Sequence, residues 1–238
     1  MKLIKLRGLF KGLFFKLKLH RLFFCSNKLI FIGNLSRLSS FVNKHKNIEY
    51  NDFYSSKRNY NKRKELYKYI IEKESLSGKI NYLEFGVADG DSFRWWVNNN
   101  NHSDSCFAGF DTFSGLPENW GPFKKGDMST NNQIPQINDK RCKFYEGLFQ
   151  QTLPEFVKNF DFTNRTVIHM DADLFSSTLY VLTSLAPYLK KDDIIFFDEF
   201  NVPMHEFFAF DIFVNSYYIK YEIIGAINNF YQIALKIV

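Results

Sequence analysis

Val167-Ile168-His169-Met170-Asp171-Ala172-Asp173-Leu174-Phe175-Ser176-Ser177-Thr178 is an apolar run that ends in two carboxylates and passes into a helix start. A second run, Ile194-Ile195-Phe196-Phe197, ends in Asp198-Glu199. Ligands of open parallel sheets bind outside the carboxyl ends of the strands, so two neighbouring strands with acidic ends gather three or four carboxylates about one point. Such a cluster suits a hard divalent cation or acid–base chemistry better than it suits a core. The competing reading of Asp173 is a cap, with Ser176 and Ser177, for the helix that follows. His169 shares a strand face with Asp171. A lone strand histidine is more often a buried, hydrogen-bonded group than a ligand.

Outward from this stretch, short apolar strands alternate with helical segments. The pattern predicts strands near 80–86, 106–110, 142–146, 166–171 and 193–198, and helices near 91–98, 151–159, 176–189 and 204–216. Such alternation winds a parallel sheet through right-handed crossovers. Residues 221–227 and 231–237 flank Asn228-Asn229 and read as a closing β-hairpin. The expectation is an α/β, doubly wound, mostly parallel seven-stranded sheet with a C-terminal antiparallel hairpin. A helix over about 63–73 precedes it. On the helix after the second acidic pair, His205, Glu206 and Asp211 read as a solvated face, the alternative for Glu206 being that it faces the mouth of the site. The connection from Thr112 to Arg141 is long enough to be a lid or binding segment, with Trp120 and Phe123 available to close over a ligand. Its bland alternative is a disordered insertion.

The first strand ends Glu84-Phe85-Gly86-Val87-Ala88-Asp89-Gly90-Asp91-Ser92. Glycines at a strand-to-helix turn let backbone approach a ligand, and the amides opening the helix hold an anionic group. The Gly-x-x-x-Gly spacing is not the dinucleotide fingerprint. Asp111 ends the second strand about 20 residues on, where doubly wound folds place a ribose-binding acid. Turn and acid together favour a nucleoside-bearing cofactor other than NAD.

Four stretches, in order, resemble the macrocin O-methyltransferase family: Glu84 to Ser92, Gly109 to Pro117, Glu146 to Pro154, and His169 to Thr178. The resemblance covers about residues 80 to 217. It implies the class I methyltransferase fold, S-adenosylmethionine as cofactor, Mg²⁺ or another hard divalent cation, and a sugar hydroxyl as acceptor. Under it, Glu84, Gly86 and Ser92 lie along the methionine portion of the cofactor, Asp111 holds the ribose, and Gly147 and Leu148 border the adenine. Asp171, Asp198 and Glu199 match the metal ligands, and Asp173 matches the general base. The family usually carries Asp-Asp where this chain has Asp198-Glu199, which puts the metal geometry in question. Two other readings stay open: methylation of a catechol-type diol, and a non-catalytic cofactor-fold scaffold in glycan assembly.

The 238 residues suffice for one α/β unit with an appendage, and 28 Phe give it a core rich in large rings. The net charge of +6 is unevenly placed: residues 1–48 hold 11 Lys or Arg and no acid, leaving the remainder at −5. A mildly acidic body argues against nucleic acid as partner. Residues 1–60 are thus expected to be a basic arm and solvated linker, and 61–238 the catalytic domain. Within residues 1–24, Leu3, Leu6, Phe10, Leu13, Phe14 and Leu17 gather on one helical side with cations flanking them. That pattern fits either peripheral contact with an anionic membrane or packing on the domain or on a partner subunit, a homo-oligomer included. Cations interrupt every apolar run, so no span or secretory signal is expected. Cys25, Cys106 and Cys142 lack metal-type spacing, which points to a reducing cytoplasm and idle thiols. A cytoplasmic enzyme, peripheral at the inner membrane face, is the expected setting.

Overall fold

The computed structural model describes residues 2–23 and 26–238. Phe24, at the end of the expected arm helix, and Cys25 lie outside them. Among the described residues, seven strands form one sheet: β1 Ile80–Phe85, β2 Cys106–Asp111, β3 Cys142–Glu146, β4 Arg165–Met170, β5 Ile194–Phe197, β6 Tyr221–Ile227 and β7 Gln232–Ile237. Their order is β3-β2-β1-β4-β5-β7-β6. The first five are parallel, and β7 runs antiparallel to both β5 and β6. This is the doubly wound, Rossmann-like sheet with a C-terminal hairpin that the sequence predicts.

Seven α-helices among the described residues accompany the sheet: α1 Lys2–Lys16, α2 Ser26–His45, α3 Arg63–Lys73, α4 Asp91–Asn99, α5 Phe149–Asn159, α6 Phe175–Leu185 and α7 Glu206–Ser216. Side-chain alternation along the strands divides the core in two. Phe85, Phe110, Ile168, Met170 and Phe197 face α5, α6 and α7. Tyr82, Phe107, Val167, Ile194 and Phe196 face α3 and α4. All six residues of β1 are buried, as a strand covered on both faces requires. The second face is nearly continuous aromatic, with Tyr82 stacked 5.0 Å from Trp96.

Three regions depart from the expectations. The stretch after the arm forms a second long helix, α2, which from Asn34 onward buries Asn34 and Leu38 and lays Phe41 against Phe200, Phe207 and Phe210. The linker is not merely solvated: Tyr50 stacks on Tyr69, Ala226 N–H donates to Tyr50 O, and Asn228 and Asn229 exchange hydrogen bonds with Asn59 and Ser55. Asn228 and Asn229 therefore do more than turn a hairpin. Three successive left-handed residues, Asn228, Asn229 and Phe230, widen the turn so that β7 starts at Gln232, and Phe230 is fully buried under the linker. Asparagine tolerates that backbone region, and the phenylalanine is held there by packing.

Candidate active site

Strand order reverses between β1 and β4, so the crevice opens beyond their carboxyl ends. The register levels three strand ends: Phe85 pairs with Met170, and Met170 with Phe197. The ladder continues one step further, with Asp171 N–H donating to Phe85 O and Asp198 N–H to Met170 O. Gly86, Asp171 and Asp198 consequently stand side by side. Gly86 has φ +96°, and a Cβ there would come within 1.8 Å of Asp171 O, so only glycine lets the two strand ends approach.

A cleft of about 400 Å³ lies above this row. Gly86, Ala88, Asp89 and Asp111 line one side, Leu148, Phe149 and Gln150 a second, and Asp171, Ala172, Asp173 and Glu199 the floor. Asp111 accepts from Val87 and Ala88 N–H at 2.7 and 2.8 Å and from Phe113 N–H at 2.7 Å. It fixes the glycine turn while facing the cleft. The fourth side is the 112–141 connection, whose Leu116 and Asp127 backbones bond to each other and whose Glu118 accepts from Ser176 at 2.7 Å. It is a folded segment rather than a disordered insertion. Leu116, Pro117 and Met128 line the cleft, whereas Trp120 is buried with Leu116 and Leu174 and stacks on Phe123 outside it.

Other sequence-predicted residues fall elsewhere. Glu84 lies wholly beneath the cleft, accepting from the Tyr82 hydroxyl, with His169 Nδ1 at 3.5 Å. Ser92 is buried in the first turn of α4, and Gly147, with φ +137°, sits behind Leu148 at the start of α5. His169 is buried between two hydroxyls, Tyr67 at 3.2 Å from Nε2 and Tyr82 at 2.8 Å from Nδ1. The helix after Asp173 is capped from Leu174, with no side-chain cap, and Asp173 adopts φ +57°. Its carboxyl is thus free of the capping role and meets Glu199 instead. Glu206 is not on a solvated face: it is fully buried and accepts from Glu199 N–H at 3.0 Å. Burial also raises the Cys106 thiol, and pushes the Cys142 thiol up to about 11, leaving both unreactive.

Crowding of like charges governs the acids. Burial, then Asp198 and Asp173, raises Asp171 well above the carboxylate range. Burial and the neighbouring Glu199 push Asp173 up to about 9. Burial raises Glu199 and Glu206 as well. Arg63 offsets these acids, with Nη1 3.5 Å from Asp198 and 3.9 Å from Asp171, and Arg58 acts on Glu199. Tyr60 donates to Asp198 and Tyr231 to Glu199. Asp198 Oδ1 and Glu199 Oε2 still have no hydrogen-bond partner though buried. Unpartnered hard oxygens in an acidic cluster with too little counter-charge fit a divalent cation, and Asp171, Asp198 and Glu199 are the side chains that would hold it. His169, Asp171 and Asp198 offer ligand atoms within 4.8 Å of one another, but both nitrogens of His169 are already engaged.

Tyr60 and Arg63 were not legible as site residues. The tied-down linker brings them to the acids, with Arg58 3.4 Å above the Tyr231 ring beside them. The signal available was the Asn-rich turn, whose side chains hold the linker.

The sequence profile described as a methyltransferase domain matches residues 83–200. Among solved structures, the calicheamicin methyltransferase CalS11 is similar, at 18% identity and a TM-score of 0.60, over 86% of this chain and 91% of that one. Its apo structure is described as a TDP-rhamnose 3′-O-methyltransferase. The O-methyltransferase NovP is similar at 21% identity and a TM-score of 0.56, over 74% and 79%. An O-methyltransferase from Bacillus cereus in complex with SAH is similar at 11% identity and a TM-score of 0.51, over 87% and 90%. No curated protein matches the sequence. Sheet order, antiparallel hairpin and crevice are those of the Rossmann-like class I methyltransferase fold, and residues 83–200 are a methyltransferase domain.

Proposed function

We propose that the chain is an S-adenosylmethionine-dependent, divalent-cation-assisted O-methyltransferase whose acceptor is a hydroxyl of a sugar or glycosylated molecule. The observation that carries this reading is the level row of Gly86, Asp171 and Asp198 at the strand ends, with Gly86, Asp171, Asp173 and Glu199 lining one cleft and Asp198 buried beside it. In it, the cofactor lies along the Gly86–Asp91 turn, Asp111 receives the ribose, and Leu148 covers the adenine. Asp171, Asp198 and Glu199 hold the cation. CalS11 and NovP, similar in fold, support O-methyl transfer to a sugar or natural product as the reaction class.

Bound together, cofactor and cation supply an electrophilic methyl and a Lewis acid that polarises the acceptor hydroxyl. The chain's own contribution is alignment and proton handling. Asp173 takes the hydroxyl proton at its carboxylate, the counter-charge of a bound cation drawing it down from its raised value. The 112–130 segment walls the cleft against water with Leu116, Pro117 and Met128. Glu84 and His169 act beneath, as a buried hydrogen-bonded layer that keeps β1 and β4 in register.

Purified protein incubated with methyl-labelled S-adenosylmethionine and separate panels of nucleotide sugars, glycans and catechols is the test. Cation-dependent label on a sugar hydroxyl is expected. Label only on catechols would redirect the acceptor class. Cofactor binding without transfer to any panel, in parent and Asp171→Ala alike, would favour a scaffold.

A further inference from the structure

The two arm helices differ in what they touch. The C-terminal half of α2 is docked: Leu38 is buried, Phe41 packs on Phe200 and Phe210, and Arg37 Nη1 donates to Asp211 at 2.7 Å. Asn34, ahead of it, donates from Nδ2 to Met204 Sδ at 3.5 Å, and the described residues before Asn34 form no hydrogen bond or ion pair with the body. Of the 24 exposed large apolar side chains among the described residues, 15 fall within residues 3–35, including Phe10, Leu13 and Phe15 of α1 and the run Leu29-Ile30-Phe31-Ile32 of α2. Monomeric surfaces rarely leave so large an apolar patch open without a partner. Lys5, Arg7, Lys11, Lys16, Arg21 and Lys28 are exposed among these side chains, and none forms an ion pair with a described carboxylate. Residues 1–48 contain no acid at all.

We infer that α1 and residues 26–33 of α2 are a docking surface for an anionic lipid bilayer, held to the methyltransferase domain by the Phe41 and Arg37 contacts. Both halves of the pattern are needed to choose the occupant. Nucleic acid would take the cations but leave the leucines and phenylalanines in water. A second copy docking arm to arm would bring cations against cations. A bilayer interface accepts apolar side chains below its headgroups and cations beside its phosphates. No helix among the described residues is long and apolar enough to cross a membrane, so the contact lies along the surface. The extent is wider than the sequence reading of residues 1–24, because α2 adds its exposed run at 29–32. The inference rests on the arm alone and is independent of the acceptor proposed above.

The test is co-sedimentation of the full chain with vesicles of phosphatidylcholine alone and of equimolar phosphatidylcholine and phosphatidylglycerol. Pelleting with the anionic vesicles, lost in high salt and absent on phosphatidylcholine, is expected. The full-chain triple variant K5E/R7E/K11E should bind at least about a hundredfold more weakly. F10S/L13S, which keeps every charge, should also weaken binding, by roughly tenfold or more. All five positions are exposed and far from the core, so thermal melting of the body should match the parent. Full-chain protein left in the supernatant by both vesicles, equal binding to both, or undiminished pelleting of either variant would overturn the inference. So would capture of the arm by RNA at the expense of anionic vesicles.

Discussion

Tyr60 donates a hydrogen bond to Asp198, bringing a linker residue 138 positions away onto the acid that ends β5. Arg63, one helical turn further on, donates to the Tyr60 hydroxyl at 2.8 Å and stands 3.5 Å from the same carboxylate. The pair supplies Asp198 with a hydrogen bond and with the counter-charge nearest to it.

Removing that charge should expose how the acids depend on it. Arg63→Met leaves buried carboxylates facing each other and is expected to cost about 3 kcal/mol of stability in chelator, as breaking a buried ion pair does. Mg²⁺ should then raise the melting temperature of the variant more than that of the parent, since the cation replaces the lost charge. Thermal melts of both proteins, with and without Mg²⁺, check this. Equal Mg²⁺ shifts would contradict it.

At Gly86 the prediction is steric. Alanine there adds a Cβ 1.8 Å from Asp171 O at a φ of +96°, so the β1 and β4 ends must separate. Gly86→Ala should destabilise by about 3 kcal/mol or more and disturb Asp171 with it. Urea unfolding gives the first number, and cation titration the second. An unchanged denaturation midpoint would refute the close approach.

Asp173, raised to about 9, holds its proton in the ion-free fold well above the pH at which it ionises when unfolded. A folded-state value above the unfolded one means stability fully present below about pH 4 and lost as pH climbs toward 9. Asp173→Asn should therefore flatten the decline in melting temperature of chelated protein across that range. Its methyl transfer should fall by roughly 10²–10⁴-fold while cofactor affinity holds. A steep decline retained in the variant would place the titration on another acid.

Glu74 runs the opposite way. Its carboxylate accepts from Arg165 at 2.7 Å and from Lys236 at 3.0 Å, and although burial opposes them these partners hold it below the usual range. A depressed acid contributes stability above its unfolded value, near pH 4, and loses it as pH falls through the folded one. Glu74→Gln should cost about 2 kcal/mol at pH 7 and progressively less in acid. A cost that persists undiminished at the acid end would show that the ion pairs were not its source.

The sheet was legible because Ile80 to Phe85, Val167 to Met170 and Ile194 to Phe197 are short apolar runs closed by acids or glycine, and period and punctuation survive without tertiary information. Asp171, Asp198 and Glu199 followed from the register that such strands adopt. Tyr60, Arg63 and the burial of Glu206 did not, because each depends on where a neighbouring element lies. Tyr60 reaches the site only through Asn228 and Asn229, and Glu206 turns inward only because Glu199 N–H lacks a strand partner there. Likewise α2 carries no strong helical stripe to mark it; its second half is fixed by Phe200, Phe207 and Phe210.

On the proposed function, one cleft beyond β1, β2 and β4 takes S-adenosylmethionine beside a cation held by the β4 and β5 acids. Calorimetric titration of the full chain with S-adenosylmethionine, in Mg²⁺ and in chelator, with Asp171→Asn as companion, tests it most directly. One cofactor per chain is expected in all three cases, with Mg²⁺ binding at least about tenfold weaker in the variant. No heat with S-adenosylmethionine but saturable binding of NAD, or Mg²⁺ affinity indifferent to Asp171, would contradict it.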